Sequence, residues 1–356
     1  MKSFNNTLLN WYDSENEFLP WRATSDPYHI WVSEIMLQQT QVKTVIPFYN
    51  AWIDKFATLN DVANASDEEI FKSWEGLGYY NRALNFRSAC IDIMNNYDGQ
   101  IPNLKEKLLL LKGIGDYTSS AIASIAFNQP TPAIDGNVKR IMSRLLLLPD
   151  FKKKELNKIK DFLLKNIDEH RPGDFNQSLM DLGRKICKPR NPKCTDCPIS
   201  IFCLSFKNKQ THIYPIKNKQ TKNKPHYNIG VGVVWHNDKI LITKRKKNQL
   251  LGGLWEFPGG KIESHESIEH CIKREIKEEL DIQIKVNNFI IKVKHQYSHF
   301  KITLYAYHCQ YISGDVKCIE VDDWAWIEPH AISNYPFPRA NHYIFPEILN
   351  NDGAIC

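Results

Sequence analysis

The chain has 356 residues and a formal net charge of +6. This length is enough for two domains with separate cores, and the modest charge permits an anionic partner without requiring one. The N-terminus has no apolar signal core, and no apolar run approaches the length of a membrane span. These two features exclude a membrane protein and predict a cytoplasmic one.

Residues 1–203 carry apolar residues at three-to-four spacing with few strand-like alternations, which predicts an all-helical domain. The polar stretch 204–226 is predicted to be a basic linker. Residues 227–356 contain segments that alternate with a period of two, which predicts an α/β domain. The linker accounts for the whole net charge, because it has no Asp or Glu and contains Lys207, Lys209, Lys217, Lys219, Lys222 and Lys224.

The first candidate contact with a partner is the turn Leu19-Pro20-Trp21-Arg22. In one interpretation Trp21 packs on the surface over Arg22. In the other, both side chains contact a nucleic-acid backbone. The turn alone leaves these interpretations evenly matched.

A nearly all-apolar helix is predicted from Pro27 and carries one carboxylate, Glu34. Ile30 and Leu37 share its helix face, so we expect Glu34 to be buried. Burial raises a carboxyl pKa, which suits a general acid, although a buried Glu more often pairs with an Arg or a helix terminus. The amide-rich end of this helix is suited to contact base edges, through Gln38, Gln39 and Thr40.

A second turn, Glu75-Gly-Leu-Gly-Tyr-Tyr-Asn-Arg82, combines two glycines with two aromatic residues and a cation. It is either a tight helix corner with packed tyrosines or a finger inserted into a base stack through Leu77, Gly78 and Tyr79. A further glycine-rich turn in the same domain favours the finger.

That further turn contains Gly113 and Gly115, which interrupt a helical pattern that begins at Leu104 and resumes near Tyr117. Glycine permits positive φ, and N–H groups freed at such a turn can hold an oxyanion such as a DNA phosphate at the start of the next helix. The turn alone would indicate an ordinary helical corner, but the Asp135 that follows it favours a helix-hairpin-helix. Asp135 lies about twenty residues further on, before a periodic helix, and is either a simple N-cap or a functional carboxylate.

Four cysteines within seventeen residues form the strongest single motif: Cys187, Cys194, Cys197 and Cys203. Their spacing allows the thiolates to surround one metal centre, and an intracellular setting argues against disulfides. Zinc and an iron–sulfur cubane both use four cysteines, and the spacing does not separate them.

The α/β domain contains a motif that resembles a Nudix box, Gly260-x5-Glu266-x7-Arg274-Glu275-Ile276-x-Glu278-Glu279. Three of its glutamates share a helix face: Glu275, Glu278 and Glu279. This layout can hold Mg²⁺ for pyrophosphate cleavage. The alternative is an ordinary charged amphipathic helix. The motif departs from the Nudix preference for glycine at His265 and at Asp281, although Asp tolerates the left-handed backbone.

Taken together, these motifs resemble the MutY family of adenine DNA glycosylases, in the family's order and over the whole chain. The resemblance implies a helix-hairpin-helix domain at 1–203 with a [4Fe–4S] cluster in the loop 187–203, then the linker and a Nudix-like domain at 227–356 that recognises 8-oxoguanine. It implies a monomer that removes adenine paired with 8-oxoguanine or guanine in double-stranded DNA.

The related endonuclease III enzymes use a hairpin lysine where this chain has Tyr117, so the resemblance implies a glycosylase without strand-cleaving activity. Glu34 is expected to protonate the departing adenine and then activate water. Asp135 is expected to stabilise the positive charge that develops on the sugar. Tyr117 is expected to orient one of these carboxylates.

The sequence Tyr297-Ser298-His299 lies between two strand-like runs, 289–294 and 302–307, and so at the tip of a predicted hairpin. It resembles the Phe-Ser-His loop with which the MutY family meets 8-oxoguanine. The alternative is a tip whose aromatic residues pack on the domain core.

Three other functions remain as alternatives: a Nudix nucleotide pyrophosphatase, a pyrimidine-lesion glycosylase of the endonuclease III type and a non-catalytic damage sensor. A pyrophosphatase would not need the four cysteines. A sensor would not need Glu34 and Asp135 together.

Overall fold

The structure, a computed structural model, describes residues 3–15, 17–216, 224–297 and 299–350. The chain forms two compact units: residues 1–64 with 84–220, and residues 65–83 with 221–356. In the described part of the chain up to residue 216, every regular element is helical, as predicted. The α-helices are α1 Phe4–Glu15, α2 Pro27–Leu37, α3 Val42–Lys55, α4 Leu59–Asn64, α5 Asp67–Trp74, α6 Asn81–Asn96, α7 Lys105–Leu108, α8 Asp116–Ile125, α9 Gly136–Leu146, α10 Lys153–Asn166, α11 Pro172–Lys185 and α12 Leu204–Lys207.

One core of the first unit lies where α1, α9, α10 and α11 meet, around Phe4, Ile141 and Phe175. Helix α9 begins after an extended Asp135, whose side chain caps it. Helices α9 and α11 approach each other closely at Gly183. A Cβ added to this glycine would stand only 2.5 Å from Cβ of Asn137. This close approach carries residues of α11 towards the start of α9.

The predicted hairpin joins α7 to α8 and differs from expectation in two details. The helix expected over 104–111 is only the short α7, which is followed by turns. Gly113 has φ +82°, but Gly115 has φ −98° and is an extended N-cap of α8. Positive φ is therefore a reason for glycine at position 113 but not at position 115. Close packing is a second reason for glycine at position 113, because an added Cβ would lie 2.7 Å from Cβ of Asn85.

The second unit contains a mixed seven-stranded sheet with strand order β3-β2-β1-β6-β5, in which β4 pairs with β1 and β7 with β2. Strands β1 and β6 are parallel, whereas β1–β2 and β5–β6 are antiparallel. The elements are β1 His226–His236, β2 Lys239–Arg245, β3 Trp255–Glu256, β4 Gly259–Lys261, α13 Ile268–Leu280, β5 Gln283–Gln296, β6 Lys301–Ser313, β7 Val321–Ile327 and α14 Phe345–Leu349.

Both faces of this sheet are covered. Helix α13 packs Ile272 and Ile276 on one face, and the segment 329–349 packs Phe337 and Ile344 on the other. Strands β1 and β2 form a hairpin about residues 236–238, since Trp235 pairs with Ile240. The left-handed backbone expected at the end of α13 is confirmed by φ +58° at Asp281.

Helix α5 and the glycine turn after it belong to this second unit although they lie early in the sequence. Glu68 on α5 pairs with Lys244 of β2 at 2.6 Å. The ring of Phe71 lies so close to Gly253 that an added Cβ there would be 2.8 Å away. Among the described residues, no helix is long and apolar enough to cross a membrane.

Candidate functional site

A cavity of about 970 Å³ in the helical unit is lined mainly by residues of α2, α8, α9 and α11. Its volume falls within the range of about 300–1,000 Å³ that is typical of small-molecule sites. Eight of the candidate residues line it together: Trp21, Arg22, Glu34, Gln38, Gln39, Thr40, Tyr117 and Asp135. Both candidate carboxylates therefore face one cavity.

Glu34 is buried, as predicted, with 5% of its surface exposed. Burial raises the pKa of Glu34 to about 7, although the hydrogen bond from Tyr117 lowers it and nearby Asp135 raises it. A carboxyl group with this pKa is protonated in a large fraction of molecules near neutral pH, so it can donate a proton.

Tyr117, in the first turn of α8, donates its hydroxyl proton to Glu34 Oε2 at 2.5 Å. Burial and the neighbouring carboxylates raise the pKa of Tyr117 well above its usual value. The phenol therefore stays neutral and remains a donor. This bond holds the Glu34 carboxyl in one orientation.

Asp135 has two sets of contacts. Its Oδ1 accepts from the N–H of Val138 at 2.7 Å, and its Oδ2 accepts from the side-chain amide of Asn137 at 2.8 Å. Burial raises the pKa of Asp135, while these donors oppose the increase. The residue is thus an N-cap, as its position predicts, and also a half-buried carboxylate on the cavity wall.

Asn137 and Arg140 link Asp135 to the cysteine segment and were not assigned from the sequence. Arg140 Nη2 donates to Asn137 Oδ1 at 2.8 Å, and its Nε donates to the carbonyl of Cys187 at 2.8 Å. Asn137 stands only two residues after the candidate Asp135, and this proximity in the sequence was a usable signal. The contact with Cys187 spans 47 positions, and no local pattern reveals it.

The cavity lining contains an ion-pair network that the sequence did not indicate. Arg22 donates to Asp181 Oδ2 at 2.8 Å, and Arg184 also pairs with Asp181. Trp21 is only 6% exposed and packs edge-on against Tyr49. Trp21 therefore packs in the core at the cavity wall and not on the surface over Arg22.

The amide-rich end of α2 lies at the cavity rim. Gln38 Nε2 donates to the hydroxyl of Thr118 on α8 at 3.3 Å. Gln39 is exposed and has φ +60°, and Thr40 is half-buried. This segment reaches both the cavity and the surface.

The glycine turn after α5 is held by its own side chains. Arg82 donates to the carbonyls of Leu77 and Gly78, and Trp74 Nε1 also donates to Gly78. Leu77 is 6% exposed, while Tyr79 is half-buried with φ +51°. Leu77 therefore packs inward in this structure, and the turn presents Gly78 and Tyr79.

The four predicted metal ligands line one small cavity, together with Arg144 of α9. Arg144 is 3% exposed. Its acceptors are Cys187 Sγ at 3.3 Å and three backbone carbonyls, of Lys188, Pro189 and Tyr214. The described residues contain no group of three or more His, Cys, Asp or Glu placed around a single metal ion.

An anionic centre fits this environment. A buried guanidinium is costly unless an anion compensates it, and the acceptors of Arg144 are carbonyl groups and a sulfur. Four thiolates bound to a cluster would supply that negative charge beside the guanidinium.

The glutamates of the Nudix-like motif are engaged by an arginine. Arg274 binds both oxygens of Glu266 and also pairs with Glu275 and Glu278 at 3.0 Å. Glu279 accepts from the N–H of Gly259 at 3.2 Å. The helix face predicted from the spacing is present, and its carboxylates form a network with a cation of the protein.

The predicted loop between β5 and β6 is a hairpin tip, since Gln296 pairs with Lys301. Tyr297 stacks on Phe300 with ring centroids 4.8 Å apart. His299 is exposed, whereas Ser298 lies outside the described residues.

Two stretches of the chain match two known families. Residues 32–164 match the HhH-GPD superfamily of base excision DNA repair proteins, and residues 230–347 match the NUDIX domain. The fold and the cavity thus define a helix-hairpin-helix DNA repair protein with an attached NUDIX domain. The predicted fold class is confirmed.

Similarity to individual proteins is more specific. The chain is 33% identical over 360 residues to the adenine DNA glycosylase of Mus musculus, covering 86% of this chain and 70% of that protein. It is 34% identical over 309 residues to the adenine DNA glycosylase of Buchnera aphidicola subsp. Baizongia pistaciae, covering 85% and 84%. The solved structure of a thermostable thymine-DNA glycosylase, 29% identical with a TM-score of 0.52, covers 58% of this chain and 95% of that chain.

The chain belongs to the adenine DNA glycosylase family. It is therefore a hydrolytic DNA N-glycosylase of base excision repair, and its partner is DNA.

Proposed function

We propose that this protein, acting as a monomer, hydrolyses the N-glycosidic bond of adenine paired with 8-oxoguanine or guanine in duplex DNA, without cutting the strand. The observation that carries this proposal is the cavity in which Glu34, hydrogen-bonded by Tyr117, faces the same space as Asp135. An extruded base requires such a pocket, and extrusion is easier at a mispair because less stacking is lost.

The two carboxylates divide the chemistry. Adenine leaves readily only when the purine is protonated, and the Glu34 carboxyl supplies that proton. General acids of this kind typically contribute about 10²–10⁴-fold. The sugar then carries oxocarbenium character, which Asp135 stabilises as an anion while Glu34, now ionised, activates water. Because Tyr117 replaces an amine nucleophile, strand cleavage is not expected.

The direct test uses duplexes with adenine opposite 8-oxoguanine or guanine. Incubation followed by alkali should nick the adenine strand, and incubation without alkali should leave it intact. A nick without alkali would favour lyase chemistry of the endonuclease III type. No abasic site on either duplex would contradict the proposed activity.

The rate of excision should depend on pH through both carboxylates. Glu34 must be protonated, so the rate should fall up to tenfold per unit as pH rises above about 7. Asp135 must be ionised, so the rate should also fall at acid pH, at a higher pH than an ordinary Asp would give. Single-turnover rates from about pH 5 to about pH 9 measure both limbs. A rate that increases through neutral pH would contradict the assignment of Glu34.

We further propose that Cys187, Cys194, Cys197 and Cys203 hold a [4Fe–4S] cluster. The support is their common cavity and the buried Arg144 beside Cys187. When bound, the cluster supplies negative charge and shapes the loop 187–203. The loop then presents the exposed cations Lys188, Arg190 and Lys193 towards phosphate.

Purified protein should accordingly be brown, absorb violet-blue light and contain about four irons per chain. Metal analysis and absorption spectra of the wild type and of Cys194→Ser provide the measurement, with Cys318→Ser, an exposed cysteine, as the matched control. One zinc and no iron would refute the cluster without affecting the glycosylase assignment.

The hairpin tip is proposed to recognise the base opposite adenine. Its hydroxyl and imidazole groups can sense the N7–H and O8 edge that distinguishes 8-oxoguanine from guanine. A hydrogen bond between neutral groups contributes about 0.5–1.5 kcal/mol, so Ser298→Ala should reduce excision opposite 8-oxoguanine only a few-fold to tenfold. Replacing Ser298 and His299 together should cost more.

This loss must be selective. Excision opposite plain guanine should stay nearly unchanged, and the ratio of the two rates measures the effect. Equal losses on both duplexes would assign the tip to folding or to general DNA affinity.

The remaining DNA contacts are proposed by position. The hairpin at Gly113 and Gly115 is assigned to a phosphate, the turn at Leu77, Gly78 and Tyr79 to the base stack, and Trp21, Arg22, Gln38, Gln39 and Thr40 to the cavity and its rim. The division into 1–203, 204–226 and 227–356 likewise remains a prediction. Pyrophosphatase activity of the NUDIX domain is the second candidate, and it requires a cation to compete with Arg274 for the glutamates.

A further inference from the structure

Glu75 is the C-cap residue that follows α5 and the first residue of the glycine turn, residues 75–82. It anchors this turn within the second unit. Its Oε2 accepts from Lys72 Nζ at 2.6 Å, while its Oε1 accepts from the N–H of Phe337 at 2.8 Å and lies 2.9 Å from His342 Nε2. Burial acts to raise the pKa of Glu75, yet these partners hold it below its usual value. An ionised carboxylate therefore fastens the start of the turn to the segment 335–342.

The same segment also holds the hairpin tip. Tyr297 and Phe300 pack against the core cluster that contains Phe337 and Ala340. Burial raises the pKa of Tyr297 to about 12, although the backbone of Ala340 opposes the increase. The segment 335–342 thus contacts the glycine turn through Glu75 and the hairpin tip through Tyr297. Glu75 is thereby bonded to a residue 262 positions further along the chain, Phe337.

The other end of α5 is attached independently of the turn. Glu68 pairs with Lys244 at 2.6 Å and accepts from Trp255 Nε1 at 3.3 Å, and Asp67 pairs with Lys247. Among the described residues, Glu68 itself contacts neither the turn nor the segment 335–342, although its partner Trp255 donates its backbone N–H to the carbonyl of Pro336 at 2.9 Å. Glu68 therefore provides a matched control for Glu75.

We propose that Glu75 is a positioning residue that fixes the glycine turn and the hairpin tip on the common segment 335–342, so that recognition of the opposite base is coupled to opening of the base stack. This inference rests on the proposed function, in which the turn enters the stack and the tip meets the lesion. It makes Glu75 a determinant of opposite-base specificity although it contacts no DNA itself.

The test compares Glu75→Ala, Glu75→Gln and Glu68→Ala in the full-length protein. Single-turnover excision is measured at saturating enzyme opposite 8-oxoguanine and opposite guanine, with active-site titration to correct for unfolded protein. The fluorescence of 2-aminopurine placed beside the opposite base reports unstacking on binding. Melting temperatures report any general loss of stability.

We expect Glu75→Ala to lower the ratio of the two rates by about ten- to a hundredfold, as for loss of hydrogen bonds to a charged group, and to suppress the fluorescence increase. Glu75→Gln retains an acceptor for the N–H of Phe337 and should restore part of both signals. Glu68→Ala should lower the melting temperature but leave the ratio and the fluorescence unchanged.

If Glu75→Ala shows the wild-type rate ratio and the wild-type fluorescence increase, the inference about Glu75 is overturned but the proposed function is not. The same holds if Glu68→Ala changes both signals as much as Glu75→Ala does. If the wild-type protein itself does not prefer 8-oxoguanine, the proposed lesion specificity fails and the coupling fails with it. The wild-type measurement thus separates the two failures.

Discussion

Replacing Glu34 by Gln should lower the rate constant for adenine excision by at least about a hundredfold while duplex binding is retained. The amide has nearly the same shape and can still accept from the hydroxyl of Tyr117, so the cavity should be preserved. It has no proton that titrates near neutral pH, and the purine therefore leaves unprotonated. Single-turnover excision and the affinity for a duplex with a cleavage-resistant adenosine measure the two quantities. Near-wild-type turnover would refute the role of Glu34.

The matched control is Tyr117→Phe. The hydroxyl of Tyr117 lowers the pKa of Glu34 because it stabilises the carboxylate. Without this donor, the pKa of Glu34 should rise, and the alkaline decline of the excision rate should move to higher pH. Unlike Glu34→Gln, this variant retains the acid and should keep substantial activity below neutral pH.

Glu34→Gln should lower activity without lowering stability above neutral pH. The pKa of Glu34 is raised in the folded protein, so the stability associated with its protonated form is full below its unfolded pKa. That stability is lost as pH rises through about 7, where burial of the charge becomes costly. Above this pH, Glu34→Gln should therefore melt at the same temperature as the wild type or higher. A lower melting temperature would indicate that the carboxylate is structurally required.

Local patterns were sufficient to predict the helix face that buries Glu34. Ile30 and Leu37 share that face, and both line the cavity with it. The contact between Tyr117 and Glu34 was expected only as a bond to one of two carboxylates, and the structure identifies which one. Helical periodicity specifies a face, but only packing specifies the partner across it.

Contacts between distant parts of the chain were beyond local inference. Arg22 precedes its partner Asp181 by 159 positions, and no spacing rule relates them. The sequence of α5 predicts a helix of the helical domain, yet α5 packs with the sheet. Glu68 pairs with Lys244 on β2, and Phe71 packs against Gly253. Composition does not encode such docking, which depends on complementary surfaces that form only in the folded chain.

Asp135→Asn should reduce excision by about 10²–10³-fold, the usual cost of removing an electrostatic stabiliser of a developing charge. Asn is as good an N-cap as Asp, and its carbonyl oxygen can keep the 2.7 Å bond from the N–H of Val138. Helix α9 should therefore persist, with unchanged circular dichroism and a small change in melting temperature. The introduced amide nitrogen would face Asn137 Nδ2, and Asn137 cannot rotate its amide without breaking its 2.8 Å bond from Arg140. The variant thus keeps the cap but removes both the charge of Asp135 and its bond from Asn137.

Asp135→Ser gives the complementary control, because serine caps a helix but supplies no anion. It should be as inactive as Asp135→Asn while remaining folded. If the serine and asparagine variants both excise adenine at the wild-type rate, Asp135 serves only to begin α9. If both lose activity with helix content intact, the reaction requires more of Asp135 than its cap, because the cap is common to all three proteins.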